Sequence, residues 1–372
     1  MIQILHSVSN MDRAGVETML MNYYRHMDRE KVQFNFLCNK TKPGAYDDEI
    51  ISLGGKIYRT PSLNPAKYPQ YLRYMRQLFC EHPEYRIIEA HNGPLGLYAL
   101  YAAERCGIPN RIFHAHGTDI SFDFKWPLKK LCKSRLPHHC NLNWACGADA
   151  ARHYFGDKTV SAGNYRIVPN AVDTGRFAFS ESSRQRIRKK YGLGSKVVIG
   201  HVGRFVAVKN HGFLIDVFQR LHKAQPDSAL VLLGDGELQR AMEQKARQTG
   251  LERHILFMGN VSNADEWYQA MDAFVMPSSN EGLPVVGVEA QAASLPCILS
   301  ENITKEVVIS DRVIFVALEK APEEWAKIIL RAVQKNKRED MAKQIASAGY
   351  DIRVEAEKLQ NQYIMLAKDS AK

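Results

Sequence analysis

The chain has 372 residues, 45% hydrophobic and 24% charged, which is ordinary globular composition and excludes a largely disordered chain. The length predicts two domains rather than one. The formal net charge of +10 suits acidic lipid headgroups or a phosphorylated ligand, whereas the aromatic-interleaved basic motifs of nucleic-acid binding are not evident, so no nucleic-acid partner is expected.

The seven cysteines are odd in number and show no Cys-x-x-Cys spacing, which fits reduced thiols in a cytoplasmic protein. His138, His139 and Cys140 are adjacent, and adjacent residues rarely chelate one tetrahedral ion, so no metal is expected there. Met1 to Val8 lacks the basic leader and long apolar core of a secretory signal. The longest uncharged stretch, Ala90 to Ala103, is too short to span a bilayer. The expected location is the cytoplasm, at most attached to the inner face of the plasma membrane.

Ile2 to Val8 reads as a buried strand, followed by a loop with Gly15 and a helical stretch to about His26. Val32, Phe34, Phe36 and Cys38 alternate as a strand should. Further strands are expected at Ile57 to Thr60, Arg86 to Ala90, Arg111 to His114, Asn141 to Ala145 and Arg166 to Pro169. Pro69 to Cys80 reads as a helix. Trp126, Leu128 and Leu131 among Lys129, Lys130, Lys133 and Arg135 suggest an amphipathic surface helix. Asn170 to Ser183 shows no periodicity and reads as a linker. Arg184, Arg186, Arg188, Lys189 and Lys190 read as a solvated basic helix face.

A second series follows, with strands at Lys196 to Val202, Ala229 to Leu233, Ile255 to Phe257, Ala273 to Met276 and Cys297 to Leu299. Helices are expected at Phe213 to Ala224 and Leu238 to Gln248. The tail from Asp351 is helical with no partner strand. Alternating strands and helices predict parallel sheets covered on both faces. Two such series predict an α/β protein of two Rossmann-like domains, with ligands at the carboxyl ends of strands and the natural site in the cleft between the domains.

Five segments carry chemistry. In His201-Val202-Gly203-Arg204 with Lys209, two cations lie between a strand end and a helix start, which suits a diphosphate; two solvated loop cations would look the same. In Glu281-Gly282-Leu283-Pro284 through Glu289, Pro284 suits a first helical turn. Eight helical residues rise about 12 Å, so Glu281 and Glu289 would border one groove. The backbone N–H groups of Gly282 and Leu283 would face an anion there. The bland alternative is a helix-start acid and a surface acid. Gly15 permits close backbone approach to a ligand or simply makes a turn. His116 and Asp119, after another strand, lie where site residues gather, although a structural histidine is equally compatible. Gly234-Asp235-Gly236 fits a tight turn.

Taken together, these segments and Val168-Pro169-Asn170-Ala171-Val172-Asp173 resemble family-4 retaining glycosyltransferases of the GT-B fold. The resemblance covers nearly the whole chain and is closest in flavour to bacterial capsular and exopolysaccharide enzymes. It implies an acceptor domain at 1–178, a nucleotide-sugar donor domain at 179–350, and a helix at 351–372 crossing back to the first domain. It implies that Arg204 and Lys209 bind the donor diphosphate and that Glu289 holds ribose hydroxyls. Glu281, with the Gly282 and Leu283 amides, would contact the transferred sugar. Gly15 would approach phosphate or acceptor, and His116 would lie near the reacting sugar. His116, Glu281, Arg204 and Lys209 are thus the implied catalytic residues, with no metal and no cofactor. The implied partners are a UDP-sugar and a glycan acceptor, lipid-linked at a membrane surface. The chain departs from the family at Ala14-Gly15 and Ile303-Thr304-Lys305-Glu306, where Gly-Gly is frequent, and at Ser294, where a glycine is frequent. A GT-B nucleotide-sugar epimerase and a non-catalytic nucleotide-sugar or nucleic-acid binding protein are the alternatives.

Overall fold

The computed structural model describes residues 1–61, 63, 65–117 and 126–369. They form two compact units, Met1–Ala171 with Ile352–Lys372, and Val172–Asp351.

Unit 1 is a parallel sheet of β1 (Ile2–Val8), β2 (Val32–Cys38), β3 (Ile57–Arg59), β4 (Tyr85–Ala90), β5 (Asn110–Ala115), β6 (Leu142–Ala145) and β7 (Arg166–Ile167). The spatial order is β3-β2-β1-β4-β5-β6-β7. β2 is buried at every position rather than at alternate ones, because elements pack on both faces of the sheet. The helix Ile352–Asp369 lies against the helix Gly15–His26 and against β1, β2 and β4. Its Ile352, Ala356, Leu359 and Tyr363 share one apolar core with Met19, Tyr23, Phe34 and Phe36. The tail is therefore an integral part of unit 1.

Unit 2 is a parallel sheet of β8 (Val197–Val202), β9 (Ser228–Leu233), β10 (Ile255–Phe257), β11 (Ala273–Met276), β12 (Cys297–Ser300) and β13 (Val313–Val316), in the order β10-β9-β8-β11-β12-β13. The edge strand β13 is absent from the sequence reading. In each sheet the chain builds outward in one direction and then returns to build in the other. The reversal falls between β1 and β4 in unit 1 and between β8 and β11 in unit 2. Loops at the carboxyl ends of strands diverge there, which opens room for ligands.

Several local expectations are corrected. Asn170 to Ser183 is not irregular throughout. Asp173 accepts hydrogen bonds from the Gly175 and Arg176 N–H groups and caps the short helix Thr174–Phe177. Ser180 caps the helix Glu181–Lys190. That helix is a solvated basic face only in part: Arg186, Lys189 and Lys190 are exposed, whereas Arg184 and Arg188 are covered. Arg184 and Arg188 both clasp Asp272, at 2.5 and 2.6 Å, and Arg186 pairs with Glu266 at 2.5 Å. The helix Trp126–Arg135 is present, with Lys130 over the Trp126 ring and Leu131 54% exposed. Ser294, where the family favours glycine, does adopt a left-handed backbone, at φ 59°. Its hydroxyl accepts the Glu339 N–H at 2.9 Å, which ties that turn to the segment after the helix Pro322–Lys335. All seven cysteines are free. Among the described residues no helix is long and apolar enough to cross a membrane.

Candidate functional site

In unit 2, the loops following β8 and β11 emerge side by side because those strands are neighbours. After β8 the chain makes a single 3-10 turn, Ala207–Lys209, passes through a left-handed Asn210 and enters the helix His211–Ala224. Two glycines after β9 clamp this loop. Gly236, at φ 152°, approaches so closely that a Cβ would stand 2.7 Å from the Phe205 backbone. Phe205 N–H donates to the Asp235 carbonyl at 2.7 Å, and Leu238 N–H donates to the Phe205 carbonyl at 3.0 Å. The Gly234-Asp235-Gly236 turn therefore serves to hold the loop that carries Arg204 and Lys209.

The loop after β11 is tied to the same place. Ser279 N–H donates to the Val208 carbonyl at 2.8 Å, and Lys209 Nζ lies 2.6 Å from Glu281 Oε1. Both side chains are mostly covered, at 16% and 18% exposure. Arg204 is exposed and has no ion pair among the described residues. The structure thus brings Lys209 and Glu281 into contact, from strands 70 residues apart.

The geometry of the second acid differs from the helical arithmetic. The helix begins at Val285, after Pro284. Glu281 lies before it and bridges to Ile303 through its backbone, and Gly282 and Leu283 form the bend that leads into it. The eight-residue helical rise therefore does not apply between Glu281 and Glu289. Glu289 lies within the helix Val285–Ala292 and is only 7% exposed, so it is not a surface acid. Tyr268 Oη donates to its carboxylate at 2.9 Å. Burial pushes its pKa up to about 7, against the opposing pull of the Tyr268 bond and the Arg176 charge.

In unit 1, Gly15 is the first residue of the helix Gly15–His26. Its backbone is not left-handed, and a Cβ there would meet nothing. A turn requirement is therefore not what a glycine serves at this position. Asp119 lies outside the described residues. His116 belongs to a cluster that sequence reasoning missed. His91 Nδ1 lies 2.8 Å from His116 Nε2, and His6 Nδ1 lies 3.0 Å from His91 Nε2. His114 Nδ1 donates to Glu89 Oε1 at 2.7 Å, and Tyr363 Oη, from the C-terminal helix, donates to Glu89 Oε2. His6 and Glu89 are register partners on β1 and β4, the strands at the topological reversal. Desolvation pulls His6 down to about 4 and His114 to about 3. It holds His91 and His116 well below the usual imidazole range and pushes Glu89 up to about 6.

Nitrogens of His91, His114 and His116 lie within 4.8 Å of one another, as do ligand atoms of His6, Glu89 and His91. These are the residues that could hold a metal ion. In the structure the facing atoms of His6, His91 and His116 are hydrogen-bonded to each other. The adjacent trio considered from sequence is dispersed, with His139 bonded to Glu104 at 2.7 Å and Cys140 to Asn143 at 3.6 Å.

Two Rossmann-like units, each with polar side chains gathered where its strand order reverses, are the architecture of the GT-B class. Residues 13–176 match "Glycosyltransferase Family 4" and residues 183–350 match "Glycosyl transferases group 1". EpsF of Bacillus subtilis (strain 168), named as a glycosyltransferase, is 37% identical over 97% of this chain and 96% of its own length. CapH of Staphylococcus aureus, a capsular polysaccharide biosynthesis glycosyltransferase, is 25% identical over 91% of this chain and 92% of its own. The crystal structure of Anabaena HepE in complex with UDP-glucose superposes with a TM-score of 0.74 at 17% identity, covering 100% of both chains, and so shares the fold. The chain belongs to the group 1, family 4 glycosyltransferases.

Proposed function

We propose that the protein transfers a hexose or N-acetylhexosamine from a UDP-sugar to a hydroxyl of a glycan acceptor, with retention of configuration, in the synthesis of a bacterial surface polysaccharide. The observation that carries this is the contact of Lys209 with Glu281 between the β8 and β11 loops, alongside the buried Glu289. A cation, a partly covered acid and a buried acid at one strand reversal match the needs of diphosphate, sugar and ribose. Lys209 and Arg204 bind the diphosphate, Glu289 accepts from ribose hydroxyls, and Glu281 holds the sugar, with Gly282 and Leu283 beside it. In unit 1, Gly15 and His116 attend the phosphate and the transferred sugar. The likeness to EpsF supports glycosyl transfer, and the likeness to CapH supports the polysaccharide role.

In the reaction, the acceptor oxygen bonds to the anomeric carbon as the bond from that carbon to the β-phosphate oxygen breaks. The departing phosphate takes the acceptor's proton on the same face, so no separate base is needed. Charge developing on that phosphate is met by Lys209 and Arg204, which do the work a metal would otherwise do. The acceptor is lipid-linked; the basic helix Trp126–Arg135, with Leu131 exposed, suits an anionic membrane surface.

The test is incubation with UDP-hexoses and a lipid-linked glycan, reading UDP release and the anomeric configuration of the product by NMR, with and without EDTA. A retained configuration, insensitive to EDTA, is expected. Inverted product or EDTA-abolished turnover would refute the mechanism. Free or epimerised sugar without acceptor would replace transfer by epimerisation.

A further inference from the structure

His6, His91 and His116 form one chain of nitrogen-to-nitrogen hydrogen bonds, and such a chain has a direction. A neutral imidazole carries a single N–H. In each contact one nitrogen donates and the other accepts, and fixing the proton on one ring therefore fixes the other two. In one direction His6 Nδ1–H donates to His91 Nε2, His91 Nδ1–H donates to His116 Nε2, and His116 carries its proton on Nδ1. In the other, His116 Nε2–H donates to His91 Nδ1, His91 Nε2–H donates to His6 Nδ1, and His6 carries its proton on Nε2.

The decisive atom is His6 Nε2, which is buried with no hydrogen-bond partner. The His6 ring packs on Phe34 and Phe36, at 4.1 and 5.6 Å between centroids, and neither offers an oxygen or nitrogen acceptor. A buried N–H without an acceptor is rarer and costlier than an under-used acceptor. The near contacts with Glu89, 3.9 Å from His6 Nδ1 and 3.6 Å from His91 Nε2, pull in opposite directions and do not choose.

We propose that His6 is a positioning residue that, through His91, holds His116 in the Nδ1–H form, so that the second nitrogen of His116 is a hydrogen-bond donor and not a base. The tautomer stands on this geometry alone. Its bearing on catalysis rests on the reading that places His116 at the transferred sugar. There a donor suits a sugar or phosphate oxygen, and it leaves the acceptor's proton to the phosphate.

The experiment is long-range proton–nitrogen correlation NMR of the full chain labelled at its histidine rings, at pH 7, with His116 assigned by its loss in His116→Gln. A neutral ring protonated at Nδ1 is expected. His6→Phe removes the first donor and is expected to shift His116 toward Nε2–H. It is also expected to lower kcat about 10- to 100-fold, with little change in donor KM. His6→Asn keeps a donor near Nδ1 and is expected to restore most of both. A protonated Nε2 in the wild-type protein overturns the proposal, as do equal effects of the two substitutions or stoichiometric bound zinc that disappears in His114→Ala. A tautomer that responds to His6 while kcat does not overturns the catalytic half and removes His116 from transfer.

Discussion

Lys209 Nζ lies 2.6 Å from Glu281 Oε1, so the cation proposed for the diphosphate and the acid proposed for the sugar hold each other. On that proposal a bound diphosphate would compete with Glu281 for the ammonium group. The pair would then link donor binding to the release of an acid that can accept from sugar hydroxyls.

Glu281→Gln is expected to raise UDP affinity by up to about fivefold, because a partly covered pair of this kind is worth at most roughly 1 kcal/mol. Turnover should fall by about 100-fold as the acid is lost. Calorimetry with UDP and steady-state assays read the two separately. Parallel losses would make Glu281 a general binding residue.

Lys209→Ala should weaken UDP binding about 10- to 100-fold, the scale of one charge-assisted hydrogen bond to phosphate, while the melting temperature stays close to that of the wild type. Glu289→Ala should also lose UDP binding. Unchanged affinity in both variants would sink the donor-site assignment.

Glu289 has its pKa pushed up to about 7 by burial. On the proposed role, ribose hydroxyls would donate to the ionised carboxylate, so UDP affinity is expected to rise as pH increases from 6 toward 8 and then level off. UDP itself titrates in this range, so the informative quantity is the difference from Glu289→Gln, in which the Glu289 component disappears. Identical pH profiles for the two proteins would contradict the assignment.

Burial depresses His6, His91, His114, His116, His201 and His211. Below about pH 6.5 the unfolded chain takes up protons that these folded rings refuse. Their contribution is complete above that pH and is lost as pH falls toward about 4. Each ring removes about 1.4 kcal/mol of stability per pH unit across its window. Glu89, raised to about 6, and Glu289, raised to about 7, act in the opposite sense, regaining stability as pH falls from those values toward 4.5, but they are two groups against six. Thermal melts at pH 7 and pH 5 should therefore differ strongly, and equal midpoints would show that these rings are not buried neutral.

Gly236→Ala places a methyl group against the Phe205 backbone at a left-handed φ of 152°. A loss of roughly 2 kcal/mol or more is expected, together with weakened UDP binding as the Arg204–Lys209 loop shifts. Denaturant midpoints and calorimetry test both, and a variant that melts and binds like the wild type would deny the clamp.

The sheets were largely legible in the sequence because a strand covered on both faces is a short apolar run, as in Ile2–Val8 and Ala229–Leu233. Lys209 and the acids after β11 were legible because they follow such runs at strand ends. The histidine cluster was not. His6, Glu89 and His114 sit inside runs that read only as strands, and nothing local joins residue 6 to residue 89. Only the parallel register of β1 with β4 does so. Arg184 and Arg188 misled for the complementary reason. A basic helix looks solvated until Asp272, some 85 positions away, is seen between them. The helix start beside Pro284 was legible from that proline, but the backbone bridge of Glu281 to Ile303, which takes that acid out of the helical register, was not.

The return of the helix Ile352–Asp369 to unit 1 also sets an order of assembly. Unit 2 is one continuous stretch of chain, whereas unit 1 needs residues synthesised after unit 2 is complete. Until Tyr363 arrives, Glu89 lacks one of its two donors and the apolar faces of Phe34 and Phe36 lack part of their cover. Unit 2 is thus able to mature first, although it begins later in the chain. A chain ending at residue 351 should resist limited proteolysis in unit 2 and yield to it in unit 1.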